Sequence, residues 1–148
     1  FEEKMSLNKG YIKDILLDAD VLVALAKKDD FNHKKAVAIS NKLQRTGITF
    51  YLSPFTVAEV VTVLSYKVSH KAAMTFLKQI RELNLSILGL PEKYQHLADD
   101  WFLKQTKKGT SYFDCYNMAI LERYSKQLEA IFSFDTVYKR NGFSTIKE

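Results

Sequence analysis

The chain predicts an α/β fold, a three-layer α/β/α sandwich around a mostly parallel central sheet of about four or five strands. Three observations carry this. Ile15, Leu16 and Leu17 form the short apolar run of a strand buried on both faces. Stretches with apolar residues three and four apart have the period of helices packed by one side. The two kinds of segment alternate from end to end, which is the pattern of parallel strands joined by helical crossovers.

Taken in order, a strand at about residues 13–19 is followed by a short helix over 21–28 that ends in the charged turn Lys27-Lys28-Asp29-Asp30. A second helix covers 31–45, with Gly47 beyond it as a stop signal. Residues 48–52 are β-branched and aromatic and read as the second strand. Ser53-Pro54 then has the form of a helix cap and first turn, and Val57, Val60, Val61, Leu64 and Val68 continue it as a buried stripe. A helix over 71–83 follows, then a short strand over 84–88 and a helix over 91–107. The expected Asp99-Asp100 pair on that helix faces solvent. Thr110-Ser111 caps a helix over 112–126, on which Cys115 reads as a small core residue. Residues 130–132 make the fourth strand, 136–142 a short helix or turn, and 143–146 a final edge strand.

Composition narrows the functional class. The 148 residues are expected to form one domain, with residues 1–10 a flexible leader or expression remnant; a natural start at Met5 is the alternative left open. That start lacks the apolar core of a secretory signal, and no apolar run approaches the ~20 residues that span a bilayer, so no membrane role is expected. The single cysteine excludes an intramolecular disulfide and suits the reducing cytoplasm. His33, His70 and His96 have no metal-binding spacing, so any metal must be held by oxygens, which points to Mg²⁺ or Mn²⁺. The 22 Lys and Arg outnumber the 17 Asp and Glu, and the resulting charge of +5 favours a polyanionic partner such as nucleic acid.

The chemistry is carried by acids. Asp18 interrupts the first strand at its carboxyl end, where an unpaired charge is costly. Alone, it reads as a helix cap, Glu59 as a boundary residue favoured by a helix dipole, and Asp114 as a first-turn acid worth ~0.3 to 1 kcal/mol. Together with Asp135, which breaks the fourth strand as Asp18 breaks the first, they share one kind of position. Each follows a strand or opens the next helix, and in a parallel sheet such junctions gather along the carboxyl edge. Carboxylates gathered there repel one another, and a divalent cation removes the conflict. One or two such ions activate water and stabilise charge on a phosphoryl oxygen, so phosphodiester hydrolysis is implied. Neither GxxxxGK[ST] nor GxGxxG occurs.

The segments ILLDADVLVAL, TVAEVVTVL, TSYFDCYNMAI and IFSFDTVYKRNGF resemble, in order, the four acidic motifs of PIN-domain nucleases. The length and the helical hairpin after the second motif are similar to the VapC-type ribonuclease toxins of prokaryotic toxin–antitoxin pairs. The resemblance implies a PIN-like sandwich and a Mg²⁺- or Mn²⁺-dependent endoribonuclease acting on RNA. It also implies a homodimer and a cognate antitoxin that blocks the site. By motif, Asp18 is the first metal ligand, with Glu59, Asp114 and Asp135 as second, third and fourth acids and Ser133 as the supporting hydroxyl. Asp20 stands where the family most often has Asn and adds a negative charge. Lys104, Lys107, Lys108, Lys139 and Arg140 are the expected RNA contacts. Two other readings stay open. LLDADVL also fits the opening of haloacid-dehalogenase-type phosphatases, with Asp18 as nucleophile and Asp20 as general acid, although Glu59 and Asp114 then have no role. The third is a non-catalytic PIN-like RNA-binding module, which the presence of all four acids disfavours.

Overall fold

The computed structural model describes residues 14–146, and the expected leader lies outside them. Strand β1 (Asp14–Leu17) is inner in a four-stranded sheet whose order is β3-β2-β1-β4, with β2 at Thr49–Leu52, β3 at Ser86–Ile87 and β4 at Ala130–Phe132. Every pairing is parallel: Leu16 lies opposite Tyr51 on one side and Ile131 on the other. Alternate side chains of β1 therefore enter two different cores. Ile15 and Leu17 pack with helices α1 (Ala19–Ala26), α2 (His33–Gln44), α3 (Thr56–Lys67) and α4 (His70–Leu83). Leu16 packs on the opposite face with α5 (His96–Lys104), α6 (Tyr112–Arg123) and α7 (Val137–Arg140). This is the expected three-layer sandwich, and the two-residue period of a strand produces it.

Several boundaries differ from the sequence reading, each for a local reason. β1 stops at Leu17 because the Asp18 side chain accepts a hydrogen bond from Ala19 N and starts α1 at once. Ser53 does not cap α3 directly. Its hydroxyl accepts from Phe55 N at 3.0 Å in a turn, and the helix opens at Thr56. The stretch 91–107 divides into a single 3₁₀ turn (Glu92–Tyr94) and α5. The chain then turns through Gly109, whose φ of +86° is one that residues with a Cβ rarely adopt. The final edge strand reduces to one parallel bridge, Thr145 to Ile131, which leaves the sheet at four strands.

The order of strands creates the site. From β1 the chain builds outward through β2 and β3, then returns to place β4 on β1's other side. The reversal lies between β1 and β4, where parallel sheets open a crevice beyond their carboxyl ends. Asp18 N donates to Phe132 O at 3.0 Å, which extends the pairing one residue past β1 and brings Asp18 beside Ser133. Leu16 is wholly buried at the centre of this arrangement, whereas Leu103 is 79% exposed. Leu16→Ala is expected to lower unfolding free energy by about 2 to 5 kcal/mol in urea titrations, and Leu103→Ala by less than about 0.5 kcal/mol.

Candidate active site

Asp18 is the most enclosed acid of the crevice, 5% exposed, and both of its oxygens are engaged. Oδ1 accepts from Ala19 N at 2.8 Å and from Asn117 Nδ2 at 3.3 Å, and Oδ2 accepts from Ser133 Oγ at 2.7 Å. Asp20, two residues further on, accepts from Phe134 N at 3.0 Å through Oδ2. Ser133 also lies 3.3 Å from Asp20 Oδ2, but a hydroxyl has one proton and the shorter contact to Asp18 takes it. Asp135 N donates to that same hydroxyl oxygen at 3.0 Å, so Ser133 links the ends of β1 and β4.

The remaining acids come from helix starts. Glu59 lies in the first turn of α3 and Asp114 in the first turn of α6, both half-buried. Asp135 is exposed and its Oδ1 accepts from Val137 N at 2.9 Å, which fixes the entry to α7. The carboxylates feel one another. Burial first, then the charges of Asp20 and Asp114, push the Asp18 carboxyl well above its usual 3.8 against the pull of its hydrogen bonds. Burial raises Asp20 to about 6, with Asp135 adding to the rise. Burial and then Asp135 raise Asp114 to about 6, against the bond from Tyr138. Glu59 rises from 4.5 to about 7 through burial and then the charges of Asp114 and Asp20. The structure thus brings all five acids into one electrostatic cluster.

Among the described residues, no lysine, arginine or histidine forms an ion pair with these five acids. Nor is any group of three or more His, Cys, Asp or Glu among them set to hold a metal ion as it stands. A site for Mg²⁺ does not need such a group, because that ion keeps several of its waters and takes only one or two carboxylates directly. The donor set fits it: every candidate ligand is a hard oxygen, and Asp20 Oδ1 is buried without a hydrogen-bond partner. A buried carboxylate oxygen in that condition lacks the donor or cation that its charge requires. Asp18, Glu59, Asp114 and Asp135, with Asp20 beside them, are the residues that could hold the ion or its waters.

Two participants escaped the sequence reading. Asn117 lies three residues after Asp114, on the same face of α6, and is 2% exposed; besides Asp18 it donates to the Tyr138 hydroxyl at 3.0 Å. Tyr138 is wholly buried and its hydroxyl donates to Asp114 Oδ1 at 3.0 Å. Burial first, then Asp18 and Asp114, push this phenol well above its usual 10.0, so it keeps the proton it donates. The three-residue spacing from Asp114 was the available signal for Asn117, while Tyr138 sits in a pattern that any core aromatic would satisfy.

The expected basic residues divide. Lys107, Lys108 and Arg140 line a cleft of about 120 Å³ together with Ser111, Asp114 and Asp135, so positive charge stands at the mouth of the acidic crevice. Lys104 lies instead over the Trp101 ring, 4.2 Å from its centre, and neither it nor Lys139 lines the cleft. Cys115 is buried in the core and its thiol is pushed up to about 11 by burial and then by Asp114, so it is no nucleophile. The phosphatase reading also fits poorly. It would leave Glu59 and Asp114, which share the crevice with Asp18 and Asp20, without a role.

Comparison with known proteins places the fold. The family model described as the PIN domain matches residues 15–144. Among solved structures, the chain is similar to Mycobacterium tuberculosis VapC20, a Sarcin-Ricin loop cleaving toxin, with a TM-score of 0.77 and 18% identity over 90% of this chain and 99% of that one. It is also similar to a chain of VapBC2 from Rickettsia felis bound to a DNA fragment from their promoter, with a TM-score of 0.62 and 14% identity over 90% and 97%. No curated protein matches the chain. Because the family match covers residues 15–144, most of the chain, the chain belongs to the PIN domain family.

Proposed function

We propose that this chain is a divalent-metal-dependent endoribonuclease that hydrolyses RNA phosphodiester bonds and serves as the toxin of a toxin–antitoxin pair. The observation that carries the reading is the gathering of Asp18, Asp20, Glu59, Asp114 and Asp135 at the β1–β4 crevice, the first four each raised by burial and by a neighbouring carboxylate, with no paired cation among the described residues. Membership of the PIN family and the likeness to a toxin and to a VapBC chain support it. A cognate antitoxin, a homodimer, a cytoplasmic location and a one-domain organisation complete the proposal.

When bound, Mg²⁺ or Mn²⁺ supplies charge neutralisation and an activated water. The protein supplies the rest. Ser133, Asn117 and Ala19 N hold Asp18 in a single orientation, which avoids reorganisation as charge develops. Glu59, raised to about 7, exchanges a proton near neutral pH, as a general base or acid must. Lys107, Lys108 and Arg140 at the mouth contact RNA phosphates and orient the strand over the acids. The acids must lose their protons to serve, and the metal makes that loss tolerable.

EDTA is expected to abolish RNA cleavage by the purified chain and Mn²⁺ to restore it. Asp18→Asn and Asp114→Asn are each expected to reduce cleavage at least about 100-fold with an unchanged or higher Tm in metal-free buffer. Wild-type expression should arrest bacterial growth where Asp18→Asn does not. Loss of fold in both variants, or cleavage that persists in EDTA, would sink the reading.

The same acids set a pH dependence. Asp20 and Asp114 rise from 3.8 to about 6 and Glu59 from 4.5 to about 7, so the folded state binds more protons than the unfolded one between these limits. Their stabilising contribution is complete below about pH 4 and is lost as pH climbs through 6 to 7. In EDTA, the Tm advantage of Asp114→Asn over wild type should be near zero at about pH 4 and reach a few degrees at about pH 7.5. Millimolar Mg²⁺ should shrink it. A difference that does not vary with pH would contradict the charge cluster.

For the cleft, Lys107→Ala and Lys108→Ala are expected to weaken binding of uncleaved RNA to the Asp18→Asn protein. The slope of log K against log salt should become shallower by about 0.7 to 0.9 per lost phosphate contact. An unchanged slope would remove these lysines from the interface.

A further inference from the structure

We propose that Tyr138 and Asn117 are positioning residues that set the carboxylates of Asp18 and Asp114 for the divalent cation, through one directed hydrogen-bond relay. The inference rests on the metal-dependent reading above. Tyr138 is wholly buried in the core cluster that also holds Leu16, Met118 and Ile131, a place that a phenylalanine ring would fill equally well. Its hydroxyl is therefore the part that packing does not require. A buried hydroxyl without partners is costly, and this one has two.

The direction of the relay follows from proton counting. Asn117 has two amide hydrogens, and its Nδ2 lies 3.3 Å from Asp18 Oδ1 and 3.0 Å from the Tyr138 oxygen. The opposite amide orientation would turn its carbonyl oxygen on the Asp18 carboxylate, two acceptors without a proton between them. Since Asn117 donates to the phenol oxygen, the phenol's own proton goes to Asp114 Oδ1 at 3.0 Å. Both ends of the relay are therefore donors aimed at carboxylates that repel each other. The elements involved are the start of α6, the end of β1 and α7, so the relay joins the three pieces of chain that carry Asp114, Asp18 and Asp135.

Asp114 benefits most. Asp18 has two further donors in Ala19 N and Ser133, whereas the bond from Tyr138 is the hydrogen bond that Asp114 receives among the described residues. A carboxylate half-buried in a first helical turn is otherwise free to rotate toward solvent. Groups that orient metal ligands from behind change metal affinity about 10- to 100-fold when they are lost.

Mn²⁺ titration calorimetry on the full chain, paired with steady-state RNA cleavage, tests this. In Tyr138→Phe, which preserves the ring, the Mn²⁺ Kd is expected to rise about tenfold and kcat to fall, with KM for RNA within about twofold of wild type. Tyr116→Phe is the control for a lost buried hydroxyl, since Tyr116 is 3% exposed and its hydroxyl bonds Leu90 N at 2.8 Å rather than an acid. It should lower Tm and leave the Mn²⁺ Kd unchanged. Asn117→Ala, which removes the donations to Asp18 and to the Tyr138 oxygen and leaves Tyr138 in place, is read by the same criteria. A Kd that stays within about twofold of wild type in Tyr138→Phe and Asn117→Ala, or that rises equally in Tyr116→Phe, overturns the relay. A wild-type chain that takes up no Mn²⁺ overturns the metal reading instead.

Discussion

The constraint on which the molecule depends is the placement of Asp18, a carboxylate fixed where an inner parallel strand ends and almost sealed from water. Such a charge has to be surrounded by donors, and the neighbouring chain is arranged accordingly. Ala19 N, Ser133 Oγ and Asn117 Nδ2 reach it from three elements, and its own backbone N–H continues the pairing with β4. The hydrogen bonds favour the charged form while burial and the other acids oppose it, and opposition prevails. The crevice is consequently an electrostatic deficit built into a stable frame.

Helix starts make that deficit tolerable for the fold. Asp18 is the N-cap of α1, Glu59 sits in the first turn of α3 and Asp114 in the first turn of α6. The unpaired N–H groups and the dipole at a helix start favour negative charge by a fraction of a kcal/mol each. The structural reading of each acid and the catalytic reading of the set are therefore compatible. The feature that stabilises a carboxylate locally is also the one by which parallel α/β topology collects carboxylates at one edge.

The remaining chain serves this edge. Two apolar cores, one on each face of β1, hold the sheet from both sides, and their helices deliver acids from both layers and the basic residues of the cleft from one. Glu59 arrives from the α1–α4 face, while Asp114, Lys107, Lys108 and Arg140 arrive from the α5–α7 face. Negative charge in the crevice and positive charge at its mouth are the polarity that a phosphate backbone over bound cations would meet.

The sequence by itself determined what is local: apolar runs gave the strands, three-and-four spacing gave the helices, and the acids announced themselves by interrupting apolar pattern at strand ends. It could not decide contacts made across the fold. Asp18 meets Asn117 and Ser133 over separations of 99 and 115 residues, and those meetings follow from β4 returning to β1 rather than adding beyond β3. Asn117 carried only its three-residue spacing from Asp114, and Tyr138 was invisible because an aromatic in a core position leaves no mark in hydrophobic period. For the same reason, Lys107, Lys108 and Arg140 could be separated from Lys104 and Lys139 only once the cleft existed. Periodicity reports which side of an element is buried, whereas the partner found there is chosen by strand order, a property of the whole chain.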